Sequence, residues 1–354
     1  MITFYPGPSR LYPQIEAYLG DAFHSGLLSM NHRSQPFMKM LSASIAGLKE
    51  KLMIPEACEV IFVSSATECW EIIAQSLTSR NSYHIYNGAF GKKWKEYAHK
   101  IHGRAEGIAY RLNEQPQWAP RKDTGDDILC LTHTETSNGT VIADSVLSSL
   151  RASFDGLIAV DATSSMAGVA LPWMSADVWY ASVQKCFGLP SGLGVMVLSP
   201  RAAERAKSIG EDAHYNSLEF VLDNFRKFQT PYTPNILGIY LLGRLMDSLE
   251  PVGVTAGPLT RRGAGLYGFL AGQGFELPVR EDTCRSMTVI AVEAERSVVA
   301  GLKEFALERG IVLGNGYGEK KETTFRIANF PAIPDAEFEI LKECLLDFKT
   351  ANRL

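Results

Sequence analysis

The chain has 354 residues, and 35 basic against 39 acidic side chains give a net charge of −4. This slight acidic excess argues against a nucleic-acid-binding protein, whose contact surface usually carries a clear basic excess. No apolar run approaches the roughly 18 residues that span a bilayer, and no signal peptide opens the chain. The six cysteines have neither CxxC nor zinc-site spacing. We therefore predict a cytoplasmic enzyme with no metal, nucleic-acid or membrane partner.

Short apolar strands alternate with helical patterns in the first two thirds of the chain. Apolar residues recur at helical spacing over residues 70–77, and a second amphipathic helix is predicted at 92–101. Strands separated by helices indicate an α/β domain with a mostly parallel sheet. The predicted strands are 59–64, 82–86, 128–132, 157–161, 177–182 and 194–198.

The pattern changes after residue 200. A helix is predicted at 201–209, a proline-rich segment at 229–234 and an apolar helix at 236–248. From about residue 270 the strand–helix pattern resumes, with strands at 286–292 and 323–330 and helices at 298–309 and 335–349. We predict a large α/β domain over residues 16–248 and a smaller α+β domain over residues 249–354, which also includes residues 1–15.

Polar residues follow several of the predicted strands, where parallel sheets bind ligands. Segment 64–68 (SSATE) opens a helix whose backbone amides attract an anion, although Ser and Thr are also ordinary helix caps. Asp161 closes an apolar strand and needs a protonated heterocycle, a metal or an arginine beside it, unless it caps a helix. Segment 134–139 (TETSNG) is a third candidate, and its alternative interpretation is a simple polar turn.

Lys185 stands among apolar and small residues rather than among other charges. Burial favours the neutral amine, which suits a nucleophile that forms a Schiff base, whereas an ordinary lysine would extend to the surface. An anion cradle, a strand-end carboxylate and a buried lysine together match the requirements of pyridoxal 5'-phosphate. Its phosphate would lie on the helix N-terminus, Asp161 would pair with the pyridine nitrogen, and Lys185 would hold the aldehyde.

At these residues the sequence resembles the class V (fold type I) pyridoxal-phosphate aminotransferases over nearly its whole length, and it is most similar to their phosphoserine branch. The resemblance implies a mostly parallel seven-stranded sheet in the large domain, a smaller α+β C-terminal domain, and a homodimer with shared active sites. It rests on segments 31–33 (NHR), 161–165 (DATSS), 184–185 (QK) with the glycine-rich turn after them, and 228–231 (FQTP) with the helix after it.

The resemblance also implies roles by position. Lys185 and Asp161 would carry the catalysis. Arg326 would bind the substrate α-carboxylate, and Arg33 with His32 would hold the distal anion of the substrate. The cofactor would be bound by Ala66, Thr67, Phe90, Thr136, Asp161, Gln184 and Lys185, and by Gln229 and Thr230 of the neighbouring subunit.

The implied reaction transfers the amino group of glutamate to 3-phosphohydroxypyruvate, a step of serine biosynthesis. Segments 65–68 (SATE) and 184–190 (QKCFGLP) instead favour the serine or alanine:glyoxylate transaminases of the same class. A cysteine desulfurase is a further alternative, with Cys284 as its candidate thiol, but Gln184 stands where those enzymes usually have histidine. A phosphate-binding regulator without pyridoxal chemistry would not need both Lys185 and Asp161.

Overall fold

The computed structural model describes residues 1–119 and 124–352. No α-helix in this part of the chain has both the length and the apolar character that crossing a bilayer requires. The strands of the described residues are β1 (Ile2–Phe4), β2 (Glu59–Val63), β3 (Ser82–Tyr86), β4 (Ala105–Ala109), β5 (Ile128–Thr132), β6 (Thr134–Glu135), β7 (Thr140–Val141), β8 (Leu157–Asp161), β9 (Val178–Ser182), β10 (Gly194–Leu198), β11 (Val289–Glu293), β12 (Ile311–Asn315) and β13 (Thr324–Ala328).

The local sequence explains where several of the helices begin. Helix α2 starts after the N-cap Ser34 with proline in its first turn, and α6 likewise follows the N-cap Ser199. The α-helices of the described residues are α1 (Ile15–His24), α2 (Gln35–Leu52), α3 (Ala66–Ser76), α4 (Ala89–His102), α5 (Asp144–Ser153), α6 (Pro200–Ile209), α7 (Leu218–Phe225), α8 (Ile236–Ser248), α9 (Val252–Gly272), α10 (Arg296–Glu308) and α11 (Asp335–Asn352).

Within the described residues, seven strands form the larger sheet, in the order β2-β10-β9-β8-β5-β3-β4. Only β10 of these strands runs antiparallel to its neighbours, β2 and β9. The central strands β5, β8 and β9 are buried along their whole length, as their continuous apolar sequences predict. The predicted mostly parallel seven-stranded sheet is confirmed, and parallel pairing brings the carboxyl ends of β5, β8 and β9 to one edge.

A second sheet of the described residues has the order β1-β12-β13-β11. Its first strand comes from the N-terminus, because residues 2–4 pair in parallel with β12. The sheet has its own hydrophobic cluster, which includes Phe325, Ile327 and Leu341. The N-terminal strand therefore belongs to a sheet made otherwise from the last third of the chain. The domain boundaries at residues 15/16 and 248/249 stay a prediction.

Several elements were not predicted from the sequence. Strand β4 has an exposed or half-exposed residue at most of its positions, so it lacks the apolar run of the central strands. Helix α9 carries Pro258 inside it and six glycines, all of which disfavour helix in isolation. Leu259, Leu266 and Leu270 are nevertheless buried on one side of α9. Tertiary packing of this apolar side overrides the local preference.

Candidate active site

A cavity of about 720 Å³ opens between the two sheets. Its floor includes the carboxyl-end residues Thr132, Asp161 and Ser182 of three neighbouring strands in the larger sheet, where parallel sheets place their ligands. The N-terminal residues 5–8 and residues of β12 and β13 close the other side. Eight of the predicted site residues line this cavity: Ala66, Thr67, Phe90, Thr136, Asp161, Gln184, Lys185 and Arg326.

Lys185 lies in the loop after β9 and is only 8% exposed. Its Nζ donates hydrogen bonds to Thr136 Oγ1 at 2.8 Å and to Ser164 Oγ at 3.0 Å. The two hydroxyl oxygens are themselves 2.5 Å apart, so the amine is held by a connected polar pair. Burial lowers the pKa of Lys185 from 10.5 to about 8, although the charge of Asp161 opposes the shift. Near neutral pH an appreciable fraction of this amine is therefore uncharged and nucleophilic.

Asp161 closes strand β8 with its carboxylate buried. It accepts a hydrogen bond from the backbone N–H of Thr163 at 2.9 Å. Burial raises the pKa of Asp161, while the hydrogen bond from Thr163 and the charge of Lys185 oppose this effect. Among the described residues no cationic side chain approaches the carboxylate within 4.0 Å. A buried carboxylate of this kind is suited to a cationic ligand, such as a protonated ring nitrogen.

The N-terminus of α3 combines a helix cap with the cavity wall. The Ser65 hydroxyl accepts a hydrogen bond from the Glu68 N–H, which is ordinary capping. The Ser182 hydroxyl, from the end of β9, accepts a hydrogen bond from the Ala66 N–H at 2.9 Å. Ala66 and Thr67 line the cavity in the first helical turn, where backbone amides favour an anion. Both interpretations of segment 64–68 therefore describe real features of this turn.

The cavity lining can also satisfy a phosphorylated heterocycle that carries an aldehyde. Thr132, Thr163 and Gln184 line the cavity, and each has a buried side-chain oxygen without a hydrogen-bond partner. Unpaired buried oxygens are uncommon in native proteins, and a polar ligand is one explanation for them. Together with the amine of Lys185 and the carboxylate of Asp161, these groups fit pyridoxal 5'-phosphate.

An aromatic wall faces the amine. Phe90, in the first turn of α4, has its ring centre 5.2 Å from Lys185 Nζ. The Phe90 ring packs against Tyr317 with a centroid distance of 5.0 Å. Tyr317 follows β12 and was not predicted from the sequence, because no local pattern connects it with α4. The two rings provide an apolar surface on which a flat ligand can rest.

Arg326 lies on β13, in the second sheet, with only 5% of its surface exposed. Its Nη1 donates to the backbone oxygen of Thr136 at 2.7 Å, and its Nε donates to that of Asn315 at 2.6 Å. These bonds fix the guanidinium at the cavity wall. In the described part of the chain no carboxylate lies within 4.0 Å of it. A substrate carboxylate can therefore bind there.

Glu135 belongs to the candidate segment 134–139, but the sequence assigned it no role of its own. Its buried carboxylate accepts hydrogen bonds from the N–H groups of Phe90 and Gly91, both at 3.2 Å, and from the N–H of Ser137 at 2.9 Å. Helix α4 has no cap from its own sequence, since Gly88 occupies the N-cap position. Glu135 supplies that cap from a distant segment, and it thereby ties Phe90 to Thr136. The available signal was a carboxylate between hydroxyl residues just after a buried strand.

Four predicted residues do not line the cavity of this chain: His32, Arg33, Gln229 and Thr230. Arg33 Nη1 donates to Gln229 Oε1 at 3.4 Å, so the two predicted groups are adjacent to each other although 196 positions apart in sequence. The Thr230 hydroxyl donates to the backbone oxygen of Tyr232 at 2.7 Å. The structure thus brings Arg33 and Gln229 together, and it does so outside the cavity.

Known proteins resemble this chain in sequence and in fold. The family model for aminotransferase class V matches residues 6–273. A phosphoserine aminotransferase of Rhodococcus opacus (strain B4) is 28% identical over 337 residues, which are 92% of this chain and 89% of the relative. The crystal structure of a phosphoserine aminotransferase from Cytophaga hutchinsonii is 32% identical, covers 98% of both chains and has a TM-score of 0.91.

The same fold also serves other transaminases. An alanine–glyoxylate aminotransferase from Nostoc sp. has a TM-score of 0.82 over 98% of this chain and 94% of its own, at 19% identity. That similarity concerns the fold alone. Since the family model extends over most of the sequence and the cavity contains the buried lysine and carboxylate that the resemblance implied, this chain belongs to the class V aminotransferase family.

Proposed function

We propose that the chain is a phosphoserine aminotransferase, which transfers the amino group of glutamate to 3-phosphohydroxypyruvate and forms O-phosphoserine and 2-oxoglutarate. The observation that carries this proposal is the charge of the cavity. Besides Lys185, three cationic side chains line it, Lys93, Lys321 and Arg326, against the single carboxylate of Asp161 among the described lining residues. Such a lining suits small substrates with two anionic ends. The phosphoserine aminotransferases among the relatives support the same choice.

Pyridoxal 5'-phosphate is the cofactor that this proposal requires, and when bound it supplies an electron-accepting ring that makes the α-proton of an amino acid acidic. The Lys185 amine would bind the cofactor and then move the proton between carbon atoms of the bound substrate. Thr136 and Ser164 orient its Nζ for both tasks. Asp161 would hold a proton on the ring nitrogen, and Phe90 would stack on the ring.

The remaining cofactor contacts involve the phosphate. Ala66 and Thr67 would bind it through the amides of the first turn of α3, and Gln184 would donate to it from its side-chain NH2 group. Arg326 would bind the α-carboxylate of the substrate. These roles agree with the position of each residue on the cavity wall.

The proposal includes a homodimer with shared active sites. In this arrangement Gln229 and Thr230 of one subunit would complete the cofactor phosphate site of the other, and His32 with Arg33 would approach its substrate. The contact between Arg33 and Gln229 supports this idea, because it places both groups on one surface outside the chain's own cavity. We also propose a division into domains of residues 16–248 and 249–354 with 1–15, and a cytoplasmic location.

A glyoxylate-using transaminase remains the second candidate, favoured by segments 65–68 and 184–190. The structure supports the other two alternatives less. Cys284, the thiol candidate for a desulfurase, is 2% exposed, contacts Gln115 and does not line the cavity. A regulator without transaminase chemistry would have no use for the buried Lys185 and Asp161 in one cavity.

An assay of paired substrates tests the proposal. Purified protein with added cofactor is given glutamate with 3-phosphohydroxypyruvate, and in parallel alanine or serine with glyoxylate. We expect a large preference for the phosphorylated pair in kcat/KM, and its loss in Lys185→Ala. A preference for glyoxylate would refute the phosphoserine assignment, and turnover of either pair by Lys185→Ala would refute the assigned role of the lysine.

A further inference from the structure

We infer that Lys93 and Lys321, at the mouth of the cavity, contribute to the site for the distal phosphate of the substrate beside the His32 and Arg33 of the proposed neighbouring subunit, with Tyr317 positioning Lys93. This inference rests on the proposed function, and it specifies which residues recognise the second anion. Lys93 lies on α4, one turn after Phe90, and Lys321 follows β12 in the second sheet. Both side chains are exposed and both line the cavity.

Lys93 is held at the mouth by one specific contact. Its Nζ donates a hydrogen bond to the Tyr317 hydroxyl at 2.6 Å and lies 5.0 Å from the centre of the same ring. This hydrogen bond is the main cause that raises the pKa of Lys93. An ordinary surface lysine would extend freely into water. Here the cation is oriented toward the ring that forms part of the cavity wall.

Tyr317 also links Lys93 to the residue proposed for the α-carboxylate. The Arg326 guanidinium lies 5.8 Å from the centre of the Tyr317 ring. Two cations that both lie within 6 Å of the centre of one ring can pair with two anions a few bonds apart on one small molecule. A carboxylate on Arg326 therefore leaves the other end of a short substrate near Lys93, away from the α3 turn proposed for the cofactor phosphate.

Lys321 provides the second cation. Comparison with the adjacent Lys320 shows which of the two lysines can bind an anion in the cavity. Lys320 forms an ion pair with Glu293 and does not line the cavity. In the described part of the chain neither Lys93 nor Lys321 has a carboxylate within 4.0 Å. Two cations without anionic partners in the lining of one cavity leave positive charge that a phosphate dianion can neutralise.

The test compares each lysine with its sequence neighbour in the holoenzyme. The variants Lys93→Met and Lys321→Met remove a cation from the cavity, whereas Lys92→Met and Lys320→Met remove one just outside it. We expect the first two to raise KM for O-phosphoserine by about tenfold each, the usual cost of losing one hydrogen bond to a charged group. The two controls should stay within about twofold, as expected for exposed lysines.

Two further readouts separate recognition from a structural effect. The Tyr317→Phe variant removes the hydrogen bond to Lys93 and should raise KM for O-phosphoserine with kcat nearly unchanged. In the wild type, KM for O-phosphoserine should rise with salt between about 0.05 and 0.5 M, and the double variant should lose most of this dependence. The absorbance spectrum of the bound cofactor should be the same in all variants, since Tyr317→Phe keeps the aromatic ring and none of the changed lysines is proposed to touch the cofactor.

The outcomes distinguish this inference from the proposed function. If the wild type turns over O-phosphoserine but Lys93→Met and Lys321→Met behave like the controls, the inference is wrong and the proposed function stands. If the wild type does not use O-phosphoserine, the proposed function is wrong. In that case, competition of inorganic phosphate with the amino donor in the wild type, and its loss in the double variant of Lys93→Met and Lys321→Met, would support the inference. Absence of competition in the wild type overturns it.

Discussion

Gly88→Ala tests whether Glu135 organises the site. A Cβ atom on Gly88 would lie 2.3 Å from Glu135 Cγ and 2.5 Å from its Cδ, far inside the roughly 3.5–4.0 Å of normal carbon contacts. Gly88 has an extended backbone with φ of −146°, so alanine causes no conformational strain by itself. The substitution therefore acts through the displacement of Glu135.

The expected loss follows from the hydrogen bonds of Glu135. A carboxylate displaced by about 1 Å cannot keep its bonds to the amides of Phe90, Gly91 and Ser137, which are 2.9–3.2 Å long. Each hydrogen bond to a charged group contributes about 1.5–3 kcal/mol, so we expect the free energy of unfolding to fall by about 4 kcal/mol. The variant should also bind the cofactor more weakly, because Phe90 and Thr136 flank Lys185.

Urea unfolding followed by tryptophan fluorescence measures the loss, at one cofactor concentration for all variants. Gly20→Ala in α1 is the matched control, since a Cβ there meets nothing within 4 Å and alanine should be neutral or stabilising. Glu135→Gln keeps the side-chain shape but leaves at least one amide without an acceptor, which predicts a smaller loss of about 1–3 kcal/mol. A loss below about 1 kcal/mol for Gly88→Ala would refute the view that Glu135 is held rigidly.

Three other predictions concern the groups around the cavity. With cofactor removed, an amine-specific reagent should label Lys185 faster as the pH rises, because only the neutral amine reacts. The midpoint of this increase should lie near the lowered pKa of about 8. Mass spectrometry of the labelled peptide gives the midpoint, and a value near 10.5 would contradict the buried environment. Ser182→Ala leaves the Ala66 N–H without its acceptor and should cost about 1 kcal/mol in urea unfolding, whereas Ser182→Thr, which keeps a hydroxyl, should cost less. Gly7→Ala should lower the free energy of unfolding by about 1–3 kcal/mol in the same assay, because φ is +146° and the new Cβ would lie 3.0 Å from Lys185 Cε. An unchanged urea midpoint would show that this loop is not in close contact with the lysine.

Much of the architecture could be predicted from the sequence. The apolar strands of the larger sheet are continuous local patterns, and the rule that ligands bind at strand ends located Asp161 and the α3 turn before any contact was known. Lys185 was identifiable because its neighbours are apolar and small. The resemblance to class V aminotransferases then added Phe90, Thr136, Gln184 and Arg326, each of which lies on the cavity wall.

Other features depend on contacts between residues far apart in the chain. Helix α9 and strand β4 lack clear local signals, and contacts with the rest of the protein determine their secondary structure. Glu135 is an unremarkable turn residue in the sequence, and its function as the cap of α4 exists only because the chain brings it 44 positions back to Gly91. Likewise, no pattern links Lys93 with Tyr317, which are 224 positions apart.

The sequence by itself therefore determined the fold class and the cofactor, and it predicted the residues proposed to hold that cofactor, since local periodicity and residue types at strand ends indicate them. Only the tertiary structure decided which charges remain unpaired. Lys320 and Lys321 are adjacent and chemically identical, yet one pairs with Glu293 and the other lines the cavity. The same applies to the pKa of Lys185, which burial lowers to about 8. Desolvation and charge pairing depend on distances through space, and the sequence alone does not contain those distances.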